Sequence, residues 1–316
     1  MYMRFLFIMD PIEHVQIHLD STFAMMLEAQ ARGHEVLVCL PSDLRLVTGE
    51  PRASVRPCTL RPVQGKHADL GVSADACLRT FDAIFVRHDP PFDMEYITAT
   101  YILEAAEPDA LVINRPASLR SHNEKLYALE FPDYCPESIV TCQPEQIRAF
   151  QDDLGTAIVV KPLDGNGGVA VFVVNADDPN RNVILEVSTE NGHRSIIAQR
   201  YLPAAVEGDK RILLVDGAFA GAVLRIPTSS DHRGNIHVGA QCVASPLSPR
   251  EEEMLSVMGP RLRADGHLFV GIDVIGDFLT EINVTSPTGI HEVNALEGRR
   301  VEAEFIDCVE EYCQNR

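Results

Sequence analysis

Three groups of residues have the types and spacing to do chemistry. The first is K-P-L-D-G-N-G-G at 161–168, set between the apolar runs A-I-V-V and V-A-V-F-V-V. Lysine is a point charge suited to phosphate oxygens, and glycine amides in a loop can approach a phosphate closely. The stretch reads equally as a hairpin turn, because glycine clusters mark turns. It is no P-loop: the lysine comes before the glycines, and both the G-K-[ST] ending and the GxGxxG spacing are missing. A strand follows it instead of a helix. The amides of a movable hairpin tip, not a fixed helix terminus, would then cover the phosphates. A second lysine, Lys125, stands one residue past Glu124 in a short predicted helix.

The second group is E-I-N at 281–283 with Asp273. Side chains alternate along a strand, so Glu281 and Asn283 share one face. A carboxylate beside a carboxamide oxygen suits a hard cation such as Mg²⁺, with phosphate and water completing the shell. Asp273 joins them only in one hairpin register. A two-residue Gly276-Asp277 turn sets it opposite residue 280, and a three-residue turn opposite 281. The cation reading therefore predicts an odd loop length. The competing reading is the polar face of an ordinary sheet.

The third group is Arg211, Arg225 and Arg233. The first two fall on adjacent predicted strands and the third in a Gly/Ser/His-rich segment that reads as a loop. They could form bidentate anion clamps, or they could be edge-strand charge. The histidines form no HExxH and no close pair with cysteine, and no GxSxG elbow is present.

Composition narrows the choice. Lys+Arg 27 against Asp+Glu 46 leaves a net charge of −19, which disfavours non-specific binding to nucleic acid or anionic membrane. An anionic substrate would need a local basic pocket. Aromatics are 6% with no Trp, which does not suggest a base-stacking surface. With 46% hydrophobic residues over 316, the chain can bury the cores of two or three domains. The eight cysteines form no CxxC pair and read as scattered reduced thiols. The N-terminal M-Y-M-R-F-L-F-I-M-D-P reads as a strand, not a signal peptide. No apolar stretch approaches the ~20 residues of a membrane span.

The elements that must position these residues follow from periodicity. Residues 1–122 alternate strands (R-F-L-F-I-M-D, H-E-V-L-V-C-L, D-A-I-F-V, A-L-V-I-N) with helices, one capped by Asp20 or Ser21 and stopped by Gly33. That alternation implies a doubly wound parallel sheet. Residues from about 50 to 80 show little periodicity and read as irregular. After 122, strands joined by short turns predict antiparallel sheets packed by a few helices. T-A-I-V-V-K-P pairs with V-A-V-F-V-V-N across the glycine loop, and a single final helix closes the chain.

Taken together, the order of these pieces resembles the ATP-grasp arrangement. The order is a lysine in a short helix, a strand lysine before a glycine loop, A-Q-R-Y-L, G-D-K-R, R-I-P, R-G-N, then D…E-I-N. Further stretches are similar to the bacterial glutathione synthetase branch of the ATP-grasp carboxylate–amine ligases. These include M-D-P-I at 9–12, R-H-D-P-P-F-D at 87–93, I-N-R-P-A-S-L-R-S-H-N-E-K-L at 113–126 and F-V-G-I-D-V-I-G-D-F-L-T-E-I-N-V-T-S-P-T-G-I at 269–290. The likeness covers nearly the whole chain.

The resemblance implies an α/β (α+β) chain, an ATP-grasp fold preceded by a doubly wound parallel-sheet domain. The implied parts are an N-terminal substrate domain 1–122, a central lid 123–202 and a C-terminal catalytic domain 203–316. By similarity, Lys125 and Lys161 contact the phosphates of ATP, and Leu163, Asp164, Gly165, Asn166, Gly167 and Gly168 cover them. Gln199, Arg200, Tyr201 and Leu202 form the adenine-reading hinge, and Asp209 reaches the ribose side. Asp273, Glu281 and Asn283 hold Mg²⁺, with Mn²⁺ as an alternative. Arg211 and Arg225 face the transferred phosphoryl group, and Arg233 lies in the covering loop. Asp10, Ser21, Arg87 and Asp89, with Ser286, Pro287, Thr288 and Gly289, shape the dipeptide site.

The implied reaction joins γ-glutamylcysteine and glycine at the cost of ATP, in a cytoplasmic tetramer with no nucleic-acid or membrane partner. Another ATP-grasp ligase, for D-alanine or glutamate, and a non-catalytic nucleotide-binding protein are the alternatives. The sequence departs from the family pattern at His88, where lysine is expected. It departs again at G-A-Q-C-V-A, 239–244, in place of a G-G-R-G stretch, and at His291, where arginine commonly stands.

Overall fold

The computed structural model describes residues 1–165, 167–227 and 241–316. Arg233, Asn166 and residues 239 and 240 of the 239–244 departure lie outside them. Three sheets organise the described residues.

The first sheet is built on a parallel core. The strand Arg4–Ile8 lies between Glu35–Cys39 and Ala83–Val86, and Leu111–Ile113 extends the far side. Helices Ser21–Ala31 and Met94–Glu104 are the crossovers, as the alternation predicted. Asp20 caps the first, accepting from the Phe23 amide at 2.7 Å, and Gly33 just past its end takes φ +87°. A strand's carbonyl end faces the site in such a fold, and Asp10, Arg87 and Asp89 follow these strands directly.

The stretch from 50 to 80 is not irregular. Glu50–Leu60 is a strand that adds antiparallel to the Glu35–Cys39 edge and pairs with Leu44–Val47, Ala68–Leu70 and Ala74–Cys77. Its alternation is real, with Pro51, Ala53 and Val55 buried between more exposed Arg52, Ser54 and Arg56. The signal is faint because the inward residues are small or proline.

The second sheet has four strands, in the order Phe172–Val174, Ile158–Pro162, Ile196–Arg200, Ser138–Thr141, all antiparallel. Ile147, Ile158, Val160, Val174, Leu185, Ile196 and Ala198 form a small core of its own beneath helices Pro144–Leu154 and Arg181–Ser188. A unit with a separate core can move as a body. The predicted pairing across the glycine loop is present, Ile158 opposite Val174 and Val160 opposite Phe172.

The third sheet has five antiparallel strands, ordered Gln241–Ala244, Ala218–Ile226, Asp209–Val215, Phe269–Ile275, Phe278–Asn283. Helix Pro249–Ala264 covers one face, opened by a capping box between Ser248 and Glu251. The chain closes with two helices, Ile290–Glu297 and Val301–Gln314, not one. Gly298, at φ +68°, ends the first of them.

The first and third sheets share their cores. Asn114 fastens them: its carboxamide donates to Phe269 O (2.9 Å) and Val284 O (2.7 Å) and accepts from the Leu268 and Phe269 amides.

Candidate active site

The Phe269–Ile275/Phe278–Asn283 hairpin supplies the acidic side of the site. Its turn has two residues, because Ile275 pairs with Phe278 and Val274 with Leu279. The predicted odd loop length is therefore wrong. A bulge corrects the register instead. Thr280 is the extra residue, and beyond it Asp273 stands opposite Glu281 and Gly271 opposite Asn283. Bulges re-aim side chains in this way near functional sites. Asp273, Glu281 and Asn283 consequently line one cavity of about 230 Å³, between the second and third sheets.

The opposite wall of that cavity is basic. Lys125 projects from the short helix Glu124–Ala128, whose N-cap Asn123 accepts from the Lys125 and Leu126 amides. The Asn123 amide also donates to Leu163 O at 2.8 Å and so ties the start of the glycine loop to this helix. The Lys125 ammonium donates to Glu281 Oε1 at 2.9 Å and to Gly165 O at 2.7 Å. Lys161 enters from the strand Ile158–Pro162 and donates to Gln199 Oε1 at 2.9 Å. Burial lowers the pKa of Lys161. Among the described residues no carboxylate lies within ion-pair distance of it. Lys161 is half-buried, and an ammonium withdrawn from water without a counter-charge invites a ligand that supplies one.

The floor is an arginine–aspartate cluster. Arg211 holds Asp273 bidentately, Nε to Oδ1 at 2.5 Å and Nη2 to Oδ2 at 2.9 Å. Arg225 bridges Asp273 (3.0 Å) and Asp209 (2.5 Å). Burial opposes ionisation of Asp273, yet Arg211 and then Arg225 hold its carboxyl well below the usual range. Asp209 thus sits against Arg225 beside the basic wall. Its Oδ1 is buried without a partner among the described residues.

The donor chemistry of the acidic set decides what cation it can hold. Asp273 already carries two guanidiniums and the Asn283 amide (3.2 Å). No group of three His, Cys, Asp or Glu converges among the described residues. Glu281 Oε2 and the Asn283 carbonyl oxygen remain. Two or three hard oxygen donors fit Mg²⁺ arriving with phosphates, which keeps other ligands of its own, and do not make an all-protein cage.

A second cavity of about 520 Å³ opens toward the first sheet. Asp10, Ser21, Arg87, Asp89, Ser286, Pro287 and Thr288 all line it, together with Arg211 and Arg225. Arg87 is 7% exposed; it donates to Thr22 Oγ1 and Pro287 O, both at 2.9 Å. It too has no carboxylate partner among the described residues. Ser21 Oγ accepts from the Gly289 and Ile290 amides at 3.2 and 3.3 Å, and Asp10 accepts from the Asp89 amide at 2.9 Å. Gly289 adopts φ +123°, a backbone state that L side chains rarely take. Burial pushes the Asp89 carboxyl up.

Of the residues expected to read adenine, Gln199 and Arg200 end the interior strand Ile196–Arg200 of the second sheet, and Tyr201 and Leu202 follow it. Gln199 is buried and also donates to Ser138 Oγ (3.0 Å), and Arg200 pairs with Glu137 at 2.6 Å. The Tyr201 amide donates to Ala157 O, and Leu202 is buried. Of the glycine loop, Gly165, Gly167 and Gly168 line the smaller cavity, while Asp164 pairs with Arg194 at 2.5 Å.

Two of the departures from the family pattern sit beside the larger cavity. His88 is buried against Tyr96, ring centroids 4.2 Å apart, and burial lowers its pKa to about 4. It is neutral near pH 7. His291 Nε2 meets Asp20 O at 3.0 Å.

Sequence reasoning missed Glu124 and Asn114. Glu124 Oε1 accepts from the Val284 and Thr285 amides and from Thr285 Oγ1, locking the Lys125 helix to the end of the acidic strand. Its only sequence signal was its place beside Lys125.

Comparison with known proteins gives a consistent result. The family model for the prokaryotic glutathione synthetase N-terminal domain matches residues 3–120, and that for the ATP-grasp domain of the same proteins matches 124–298. The glutathione synthetase of Rhodopseudomonas palustris is 45% identical over 302 residues, covering 96% of each chain. That of Salmonella typhimurium is 46% identical over 305 residues, again 96% of each. Among solved structures, the ATP-grasp ligase PsnB complexed with minimal precursor, Mg and ADP superposes with a TM-score of 0.61 at 16% identity, covering 98% of both chains.

Proposed function

The chain belongs to the prokaryotic glutathione synthetase family and is an ATP-dependent ligase, and on that premise we propose how its residues divide the work of joining γ-glutamylcysteine to glycine. The carboxylate of the dipeptide's cysteine attacks the γ-phosphorus of ATP. ADP leaves, and an acyl phosphate forms. The ammonium of glycine loses a proton to solvent, the resulting amine adds to the acyl carbon, and phosphate departs with the electron pair of the broken C–O bond while the nitrogen gives up a second proton to it. A free carboxylate is a poor acylating agent, and phosphorylation gives it a leaving group.

The first step needs positioning and charge neutralisation more than proton transfer. Lys125 and Lys161 neutralise the phosphates, and the glycine loop closes over them. Arg211 and Arg225 stand where the two cavities meet, so they face the transferred phosphoryl group and the acyl phosphate. Arg87 takes an anionic end of the dipeptide in the larger cavity, with Asp10, Ser21, Asp89 and the 286–289 turn around it. Backbone groups of residues 199–202 read adenine, with Asp209 toward the ribose. Glu281 and Asn283, assisted by Asp273, would hold Mg²⁺, which neutralises phosphate charge when bound; Mn²⁺ would occupy the same oxygens. Closure of the second sheet's unit excludes water that would hydrolyse the acyl phosphate.

The observation that carries this reading is Lys161, a half-buried ammonium with no carboxylate partner among the described residues, lining one cavity with the glycine loop and Glu281. Lys161→Ala and Glu281→Ala are expected to fold normally and to lose turnover by about 100-fold or more, the scale of a deleted transition-state contact. Near-normal turnover in either contradicts these roles.

No helix among the described residues is long and apolar enough to cross a membrane, and the eight cysteines are free. The free thiols support the reduced, cytoplasmic setting that the resemblance implies. The tetramer suggested by the resemblance is open to sedimentation measurement.

A further inference from the structure

The second substrate needs a seat, and one side chain stands where that seat must be. Two cavities meet at the site, one lined by the lysines and the glycine loop, the other by Arg87 and the first sheet's strand ends. Glu124 is the acidic residue that lines both, among those described. Its Oε1 is committed to the clasp on Val284 and Thr285. Its Oε2 enters no hydrogen bond or ion pair among the described residues. A carboxylate oxygen left open in the two cavities that Arg211 and Arg225 also line invites a cationic donor.

We propose that Glu124 Oε2 binds the ammonium of the acceptor amino acid and so sets its nitrogen beside the acyl phosphate. This rests on the ligase reading above. The reaction brings two ammonium groups to the site, and distance separates them. The dipeptide's own ammonium lies seven bonds from its reacting carbon. With that carbon held between Arg211 and Arg225, the dipeptide's ammonium reaches the far end of the larger cavity, toward Asp10 and Asp20. The acceptor's ammonium is the one that belongs at the junction. Lys125 on the same helix, Glu281 on the acidic strand and Tyr96 from the first domain are the other titratable groups around Glu124. Lys125 is already turned to Glu281 and Gly165.

Glu124→Gln tests this, because the glutamine carbonyl can keep the clasp while the second oxygen becomes an amide. The KM for glycine is expected to rise about 30-fold or more, the loss typical of an enclosed charge pair. The KM values for the dipeptide and ATP should stay near those of the unmodified protein. Hydroxylamine, uncharged at neutral pH, should still trap the acyl phosphate as a hydroxamate. An unchanged KM for glycine overturns the proposal. So does a rise for the dipeptide instead, or an equal rise for all three substrates.

Thr285→Val removes one clasp donor and keeps the carboxylate. It should lower the melting temperature with no glycine-specific change, and a glycine-specific rise as large as that of Glu124→Gln would assign the effect to the clasp. A further measurement needs no variant. N,N-dimethylglycine, which keeps the ammonium, should compete with glycine at least about 30-fold better than N-acetylglycine, which lacks it; equal competition overturns the proposal. Failure of the unmodified protein to form any hydroxamate would instead contradict the ligase reading itself.

Discussion

Asp273 does two jobs that pull against each other. It is the shared counter-ion of Arg211 and Arg225, and it is the oxygen donor proposed to assist Glu281 and Asn283. A ligand that brings its own negative charge, such as a triphosphate, would relieve the first job and free the second. Without such a ligand, the aspartate keeps two buried guanidiniums tolerable. Asp273→Ala is therefore expected to destabilise the protein by about 3 kcal/mol or more, because removing one partner strands buried charge; denaturant melts measure it. The pH sign follows from its depressed carboxyl. The folded pKa lies below the ordinary 3.8, so this stabilisation is complete above about pH 4 and is lost as pH falls through the folded value. Asp273→Ala should flatten that acid limb, and an unchanged limb would contradict the account.

At the scale of elements, the acidic hairpin shows what sequence can and cannot say. The alternation in E-I-N and the apolar run before it placed two strands and a shared face for Glu281 and Asn283. Turn residues set register at the tip, and a two-residue turn alone would have set Asp273 opposite Thr280. The bulge that moves it opposite Glu281 leaves no local signature, because one extra threonine in a strand looks like any other. Lys125 and Lys161 were legible for a similar reason to the hairpin, since each stands beside its own short-range pattern. Glu124 and Asn114 were not, because their partners lie in the 268–285 region, more than 150 residues away in sequence. The Glu50–Leu60 strand was missed because proline and alanine begin its buried face and two exposed residues in a row, Arg56 and Pro57, break the alternation before Cys58 and Leu60. Nor does local pattern say why helix Pro249–Ala264 contains Gly259. That glycine packs backbone to backbone on Gly217 in the turn of the neighbouring hairpin, where a Cβ would collide with main-chain atoms on either side. Gly259→Ala should push the helix off the sheet and cost about 1–3 kcal/mol, the range of an overpacked contact. A melting temperature equal to that of the unmodified protein would show that the two elements yield more easily than their contact implies.

At the scale of the whole molecule, the charge of −19 and the cationic pockets are two sides of one design. The surface repels anions in general, while Lys161 and Arg87 wait inside, each without a carboxylate, one in each cavity. The first and third sheets are fused by shared cores and by Asn114, which suits a fixed platform for the proposed dipeptide site. The second sheet has its own core and carries the glycine loop, which suits a part that closes over nucleotide. The central claim is that these two pockets together take ATP and γ-glutamylcysteine and join the latter to glycine. The most direct test is ADP release by the purified chain with Mg²⁺, compared across acid–amine pairs. The account predicts rapid release with γ-glutamylcysteine plus glycine and glutathione formed in equal amount, with only background release for D-alanine with D-alanine or for glutamate acceptors. Release that is equal for those other pairs, or tight ATP binding with no ADP formed under any of them, would contradict it.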